Sequence, residues 1–383
     1  MGDSSSSNFI PYVPGSALET QLTTTLQSFP SLFDVLKAAL LKAPSSARVT
    51  KKRVYRLIFE TFLRFLLDQT TIEQIQQING PTVQVYTTWA GQNGIQPVVE
   101  DVPGSDKKVV WIGNKNAEQV VVYAHGGGFV IPMLNWMLSF WLQVQRRYGE
   151  QTGGKEIAIA AVDYSVAPKG FPTQLTEFTF ALTHILDSIN VPTSRIYLVG
   201  DTAGGNLILQ FLSHTLHPLP LEGVPPSPLG ITSDSKPLGG VLLISPWISL
   251  NEQTPSQTHN DETDWVSQDV FVRWGKSYLS GLDEKYLPYV KPLKYADDKW
   301  FDGVDKITKR ILVTTGDAEK LMDDAVGIHD RLSHEGVEGR PEVKLFIQAE
   351  GVHDDALVEF GAGGTSLTHG GMVMVEWLKA GCL

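Results

Sequence analysis

The sequence predicts an α/β protein built on an open, doubly wound, mostly parallel sheet, and three observations carry that expectation. Short, near-continuous apolar runs recur through the second two-thirds of the chain. Stretches with helical spacing of apolar residues separate them. Glycine-rich turns follow several of the runs. Strands apolar on both faces and alternating with helices indicate a sheet covered on both sides. Functional groups then belong in the loops after the strand C-termini.

Taken in chain order, residues 1–16 (MGDSSSSNFIPYVPGS) read as a flexible tail. Residues 17–80 read as an N-terminal helical cap. It holds two amphipathic stretches, SLFDVLKAALLKA at 31–43, ended by Pro44, and VYRLIFETFLRFLLDQ at 54–69. In the second, Leu57, Ile58, Phe62, Phe65 and Leu66 fall on one helical face. Attachment to a membrane surface is the competing reading of these helices, but only one has basic neighbours, Lys51, Lys52 and Arg53. Residues 81–383 read as the core. β-rich pieces open it, TVQVYTTWA at 82–90 and KKVVWIG at 107–113. The strands then run QVVVYA (119–124), IAIAAVD (157–163), RIYLVG (195–200), GGVLLIS (239–245), ILVTT (311–315) and VKLFIQ (343–348). The Pro-, Gly- and Ser-rich segment 217–237 reads as a surface loop. The aromatic-rich segment around 251–300 reads as a cap insertion, with Trp265, Phe271, Trp274, Tyr278 and Tyr286.

Bulk properties narrow the function. The 383 residues are 42% hydrophobic and 19% charged, enough to fill a sizeable core. The formal net charge of −11 repels phosphate backbones and argues against a nucleic-acid partner. A single cysteine, Cys382, rules out an intrachain disulfide and a cysteine metal site. The N-terminus lacks the basic and apolar regions of a secretory signal, which points to a cytoplasmic protein. Gly2 and Ser6 fit the loose myristoylation pattern, a weak signal beside the acidic Asp3.

Three motifs carry chemistry. His125-Gly126-Gly127-Gly128 ends an apolar strand. Its glycines can converge their N–H groups on a developing negative oxygen. Gly200-Asp201-Thr202-Ala203-Gly204 lies between the strand RIYLVG and the helical NLILQFLSHTL. This is the G-x-S-x-G nucleophile elbow with threonine in place of serine, and the N–H of Ala203 would complete an oxyanion hole. Glu319 follows the strand ILVTT, and His353 follows VKLFIQ. The order nucleophile, acid, histidine supplies a base for the hydroxyl proton and a carboxylate to orient that base. Asp317 and Asp323 flank Glu319 and stay open as the acid.

The combination HGGGFV (125–130), DYSVAP (163–168), GDTAGGN (200–206), SPWISL (245–250), YVKPL (289–293), EKLMD (319–323) and His353 resembles the hormone-sensitive-lipase-like esterases of the α/β-hydrolase fold, in particular fungal members related to steryl acetyl hydrolases. The resemblance implies an eight-stranded sheet, a helical cap and no cofactor. It implies Gly127, Gly128 and Ala203 as oxyanion donors and Glu319 as the acid.

Thr202 departs from the family's serine. Its hydroxyl can still attack, yet a β-branched residue at positive φ is strained, and its methyl crowds an approaching acyl carbon. Four readings follow. Thr202 is a working nucleophile on a carboxylic ester or related acyl substrate; or the site runs a non-hydrolytic cyclisation or condensation, as in fungal secondary metabolism, with His353 as base and an enolate in the oxyanion hole; or the chain is a small-molecule-binding pseudoenzyme; or the threonine is an introduced change. Phe59, Phe62, Phe65, Trp136, Trp141, Trp265 and Trp274 suggest a bulky apolar ligand, and equally well a packed core.

Overall fold

The computed structural model describes residues 54–232, 235–333 and 340–381. The expected tail 1–16, the expected helix at 31–43, the basic residues before Val54 and Cys382 lie outside them.

Eight strands form one sheet. They are β1 (Val98–Asp101), β2 (Lys108–Ile112), β3 (Gln119–Ala124), β4 (Ile157–Val162), β5 (Ile196–Asp201), β6 (Gly240–Ile244), β7 (Arg310–Gly316) and β8 (Glu342–Gln348). The spatial order is β1-β2-β4-β3-β5-β6-β7-β8. β1 and β2 pair antiparallel, β2 meets β4 antiparallel, and every pairing from β4 to β8 is parallel.

Strand alternation feeds two separate cores. Val120 and Val122 of β3 face one layer, while Val121 and Tyr123 face the other. The first layer is covered by α5 (Thr173–Ser188), α6 (Ala203–Leu216) and α11 (Met322–Ser333). The second is covered by α3 (Thr82–Gln92), α4 (Asn135–Thr152), α12 (Asp355–Gly361) and α13 (His369–Ala380). All residues of the central strands β3, β4, β5 and β6 are buried, which is why they read as unbroken apolar runs.

One expectation about the first residues of the core fails, and one strand there is new. The segment 82–90 is not a strand but the helix α3. Pro81 precedes it in extended conformation, and Thr82, Tyr86, Trp89 and Ala90 are its buried residues. That spacing is helical. The β-branched and aromatic composition concealed it, because packing against neighbours overrides local propensity. The Tyr86 hydroxyl donates to the carbonyl of Trp111 at 2.6 Å and accepts from the N–H of Val98 at 2.9 Å, so α3 is tied to both β2 and β1. The edge strand β1 was not expected at all, since Val98 and Val99 are exposed and two acids follow them.

The helix at 54–69 forms as expected, as α1 (Val54–Gln69), and α2 (Ile72–Asn79) follows it. A capping box at Thr71 and Gln74 starts α2. The segment 217–237 lies between α6 and β6 without helix or strand among its described residues. The insertion holds α7 (Pro255–His259), α8 (Gln268–Tyr278) and the short α9 (Leu287–Val290) and α10 (Pro292–Tyr295). Among the described residues, no helix is long and apolar enough to cross a membrane.

Candidate active site

The elbow is built by close approach of three backbones. A Cβ on Gly204 would stand 1.9 Å from the carbonyl oxygen of Ala124, and one on Gly200 would stand 2.3 Å from Gly204 itself. Only glycine fits at either place. Between them Thr202 takes φ 45° and ψ −108°, immediately before α6. A conformation of this kind costs on the order of 1–3 kcal/mol and is held by its surroundings. Here the Thr202 N–H donates to the carbonyl of Ile244 at 2.8 Å, and its own carbonyl accepts from Trp247 N–H at 3.0 Å and Asn206 N–H at 3.1 Å. The extra methyl of the threonine packs toward Gly126: a Cβ on that glycine would lie 2.3 Å from Thr202 Cγ2.

The glycine strip lies opposite. Asp201 accepts from the Gly126 N–H at 2.8 Å and from the Tyr123 hydroxyl at 2.5 Å, fixing the start of the strip. Gly127 and Gly128 have φ of 106° and 63°. A Cβ on Gly128 would meet the ring of Trp274 at 2.3 Å. The N–H groups of Gly127, Gly128 and Ala203 donate to no described residue. Ala203 opens α6, whose N-terminal dipole favours negative charge.

His353 is buried, and burial pushes its imidazole down to about 3. The insertion grips its backbone from both sides. Asp264 accepts from the His353 N–H at 3.0 Å, and Trp265 donates its indole N–H to the His353 carbonyl at 2.7 Å. The same Asp264 accepts from the N–H of Lys320, beside Glu319, at 2.8 Å. One carboxyl therefore ties the loop after β7 to the loop after β8. Phe271 and Trp265 lie against the imidazole ring.

Glu319 is fully buried. It accepts from the Ser245 hydroxyl at 2.7 Å and from the Gly316 N–H at 2.9 Å. Burial, with the charge of Asp264 nearby, pushes its carboxyl well above the usual range. Its flanking rivals are engaged elsewhere: Asp317 accepts from the Glu350 N–H at 2.7 Å, and Asp323 from the Ser256 N–H at 2.7 Å. No hydrogen bond joins Glu319 to His353. Glu319 Oε1 and His353 Nδ1 are both buried without a partner. Nor is Thr202 hydrogen-bonded to His353.

Thr202, His353, Gly127 and Gly128 open into one cavity of about 730 Å³. Its wall is largely apolar. Phe59, Phe62, Leu63 and Leu66 enter from α1, Ile75 and Ile78 from α2, and Trp265, Phe271 and Trp274 from the insertion. Of the aromatics expected to meet a ligand, Trp136 also lines the cavity, whereas Trp141 is buried in the second core and Phe65 is not in the wall. α1 and the insertion are joined at the surface: Arg64 donates to the carbonyls of Asp261 and Asp264, and Arg273 donates to the carbonyls of Leu67 at 2.7 Å and Thr70 at 3.1 Å. Asp264 and Asp354, which also lines the cavity, were not foreseen. In the sequence each is one of several acids in an acidic stretch, and no local pattern marks it. Among the described residues, no cluster of His, Cys, Asp and Glu is placed to hold a metal ion.

A strained elbow after the fifth strand, a glycine strip with free N–H groups and a histidine after the last strand define an α/β hydrolase. The chain belongs to the family described as alpha/beta hydrolase fold, whose model matches residues 121–346, more than half of its length. It is 25% identical over 237 residues to a probable carboxylesterase 6 of Arabidopsis thaliana, a match covering 57% of this chain and 63% of that one. It is 24% identical over 282 residues to a putative steryl acetyl hydrolase of Schizosaccharomyces pombe, covering 70% and 68%. Among solved structures, an esterase of the bacterial hormone-sensitive lipase family superposes with a TM-score of 0.58 at 20% identity, over 92% of this chain and 98% of that one. A metagenomic homologue of hormone-sensitive lipase, EstE7, superposes with a TM-score of 0.61 at 17% identity, over 86% and 99%. At such identities the structures show the fold.

Proposed function

We propose that the chain is a carboxylic-ester hydrolase, or an acyl-transfer enzyme, acting on a bulky apolar substrate. The observation that carries this is the opening of Thr202, on its strained turn, into one cavity with His353, Gly127 and Gly128, whose two glycine N–H groups are unengaged. His353 takes the Thr202 hydroxyl proton, and Oγ1 attacks the acyl carbon. The N–H groups of Gly127, Gly128 and Ala203 hold the oxyanion. The proton passes to the leaving alkoxide, and water or a second alcohol releases the acyl group. Glu319 orients the imidazole through Nδ1. The partnerless Oε1 and Nδ1 support that pairing, since catalytic hydrogen bonds are often long before substrate binds. The esterase names of the relatives agree with this reading. Mass spectrometry after incubation with p-nitrophenyl butyrate tests it. A butyryl group on the peptide holding Thr202, absent in His353→Ala, is expected. Ester turnover that never labels Thr202 and persists in Thr202→Ala contradicts the nucleophile.

A second reading has an observation in its favour. With Thr202 unbonded to His353 and its methyl against Gly126, the same base and oxyanion donors would suit removal of a carbon-bound proton, as in a cyclase or condensing enzyme. Under that reading Thr202→Ala keeps its turnover and His353→Ala loses it.

A further inference from the structure

The segment that carries His353 is held from a second side as well. Past the residues gripped by Asp264 and Trp265 it runs into α12, whose Leu357 and Val358 stand in the cavity wall. α1, which supplies Phe59, Phe62, Leu63 and Leu66 to the same wall, lies against α12. At Gly361 the approach is too close for any side chain. A Cβ there would meet the Trp136 ring at 2.2 Å and the Phe59 ring at 2.7 Å. Phe59 and Trp136 themselves pack edge to face, with ring centroids 5.2 Å apart.

Arg56, about one turn before Phe59, joins the two helices, and it is only 5% exposed. Its Nε donates to Glu60 on α1 at 2.6 Å. Its Nη2 donates to the Asp355 carboxylate at 3.0 Å. Its Nη1 donates to the Asp355 carbonyl at 3.2 Å and to Glu359 at 3.0 Å. The Tyr55 hydroxyl donates to the other Glu359 oxygen at 2.8 Å. One buried guanidinium therefore holds three carboxylates, two of them from α12. That pattern needs the flat, five-donor fork of arginine, which the single ammonium of lysine does not reproduce. Without the guanidinium, the charges of Glu60, Asp355 and Glu359 oppose one another across the seam between α1 and α12.

Arg56 holds Asp355 twice, by carboxylate and by carbonyl, and Asp355 lies two residues past His353. We propose that Arg56 is a positioning residue for His353: it fixes the first turn of α12, and so seats the imidazole, while α1 lies across the cavity. The inference rests on the proposed ester chemistry, in which His353 is the base. Both pieces of the cover then grip the histidine segment, the insertion at residue 353 and α1 at residue 355. Seating of the base is tied to closure of the apolar wall, so the site is complete only when the wall is in place and water is kept out.

The test measures kcat and KM for p-nitrophenyl acetate, a substrate short enough to draw little on the α1 wall. The proteins are the unmodified chain, Arg56→Ala, Arg56→Lys and Arg64→Ala, each checked for folding by circular dichroism. In Arg56→Ala kcat falls by about 10²-fold, and in Arg56→Lys by about tenfold, with KM nearly unchanged. Arg64→Ala keeps its kcat. Guanidinium ion at millimolar concentration occupies the space left in Arg56→Ala and recovers kcat by about tenfold, whereas sodium chloride at the same concentration does not. Hydrogen exchange of the backbone amides of residues 353–358 is followed on the same proteins. It speeds up in Arg56→Ala and slows again with guanidinium. Full kcat in folded Arg56→Ala, a raised KM at unchanged kcat, or a loss that guanidinium leaves untouched overturns the proposal. Should Arg56→Ala not fold, Arg56→Lys decides: a loss of kcat at constant KM supports the proposal, and full activity overturns it. If the unmodified protein shows no His353-dependent turnover, the ester reading fails on its own and exchange decides the rest. Lost protection at 353–358 sustains the hold of Arg56 on the histidine segment, and unchanged protection overturns it.

Discussion

The elbow and the cover over it are held by different physics. Around Thr202, backbone sits on backbone, and the geometry is enforced at Gly200 and Gly204, where no side chain fits. Over His353, the 251–300 segment and α1 are held by side chains reaching across about two hundred residues of sequence, as Arg64 does to Asp264. The first region fixes a position to within the tolerance of a Cβ atom. The second walls the cavity and holds the backbone of His353. Substitutions in the two should therefore fail differently: the elbow by losing the fold, the cover by losing rate or substrate range.

The largest effect is expected at the elbow. Gly204→Ala forces a methyl into the Ala124 carbonyl, and we expect a loss of more than about 4 kcal/mol, read by urea denaturation or as failure to fold. A well-folded, active Gly204→Ala protein would break the contrast. Next comes the clamp on His353. Asp264→Ala strips acceptors from the N–H groups of Lys320, His353 and Trp265. A loss of about 1–3 kcal/mol in stability is expected for the buried donors left unpaired. In addition, kcat should fall on the order of a hundredfold, because about 1 Å of misplacement suffices for that. Equal kcat with lowered stability would leave Asp264 a packing residue only.

The contrast also explains which parts were legible in the sequence. Residues 119–124, 157–162 and 240–244 read as strands because they are buried on both faces, and burial writes itself as an apolar run. The elbow was legible because Gly200 and Gly204 are steric necessities at fixed spacing. The helix α3 was misread because Thr82, Val83, Val85, Tyr86 and Thr87 favour strands, while the buried set of Tyr86, Trp89 and Ala90 follows a helix. Nothing local separated Asp264 from Asp261, or Asp354 from Asp355. Their roles come from partners such as His353, 89 residues beyond Asp264.

A smaller effect is expected where the cover meets α1. Arg64→Ala removes donors to the carbonyls of Asp261 and Asp264 and loosens one wall of the cavity. We expect KM for long-chain esters to rise several-fold with kcat on p-nitrophenyl acetate nearly unchanged, since remote contacts contribute binding in ground and transition state alike. A uniform loss on both substrates would place Arg64 with the base clamp instead. The smallest signal is a missing one. Burial disfavours the imidazolium and lowers His353 to about 3, so lowering the pH from about 8 to 5 leaves the base neutral. The pH profile of kcat/KM should therefore show no loss of activity near 6.5, the ordinary imidazole value. A clear drop centred there would mean that the working base is a solvated histidine.

The most direct test of the central claim, that Thr202 and His353 act together in one cavity, is hydrolysis of p-nitrophenyl acetate and butyrate by the unmodified protein, Thr202→Ser and His353→Ala, side by side. Removing the methyl that packs toward Gly126 relieves both strain and crowding. We expect Thr202→Ser to be faster by about ten- to a hundredfold, and His353→Ala to be inactive. No turnover by Thr202→Ser, or turnover that survives His353→Ala, would contradict the account.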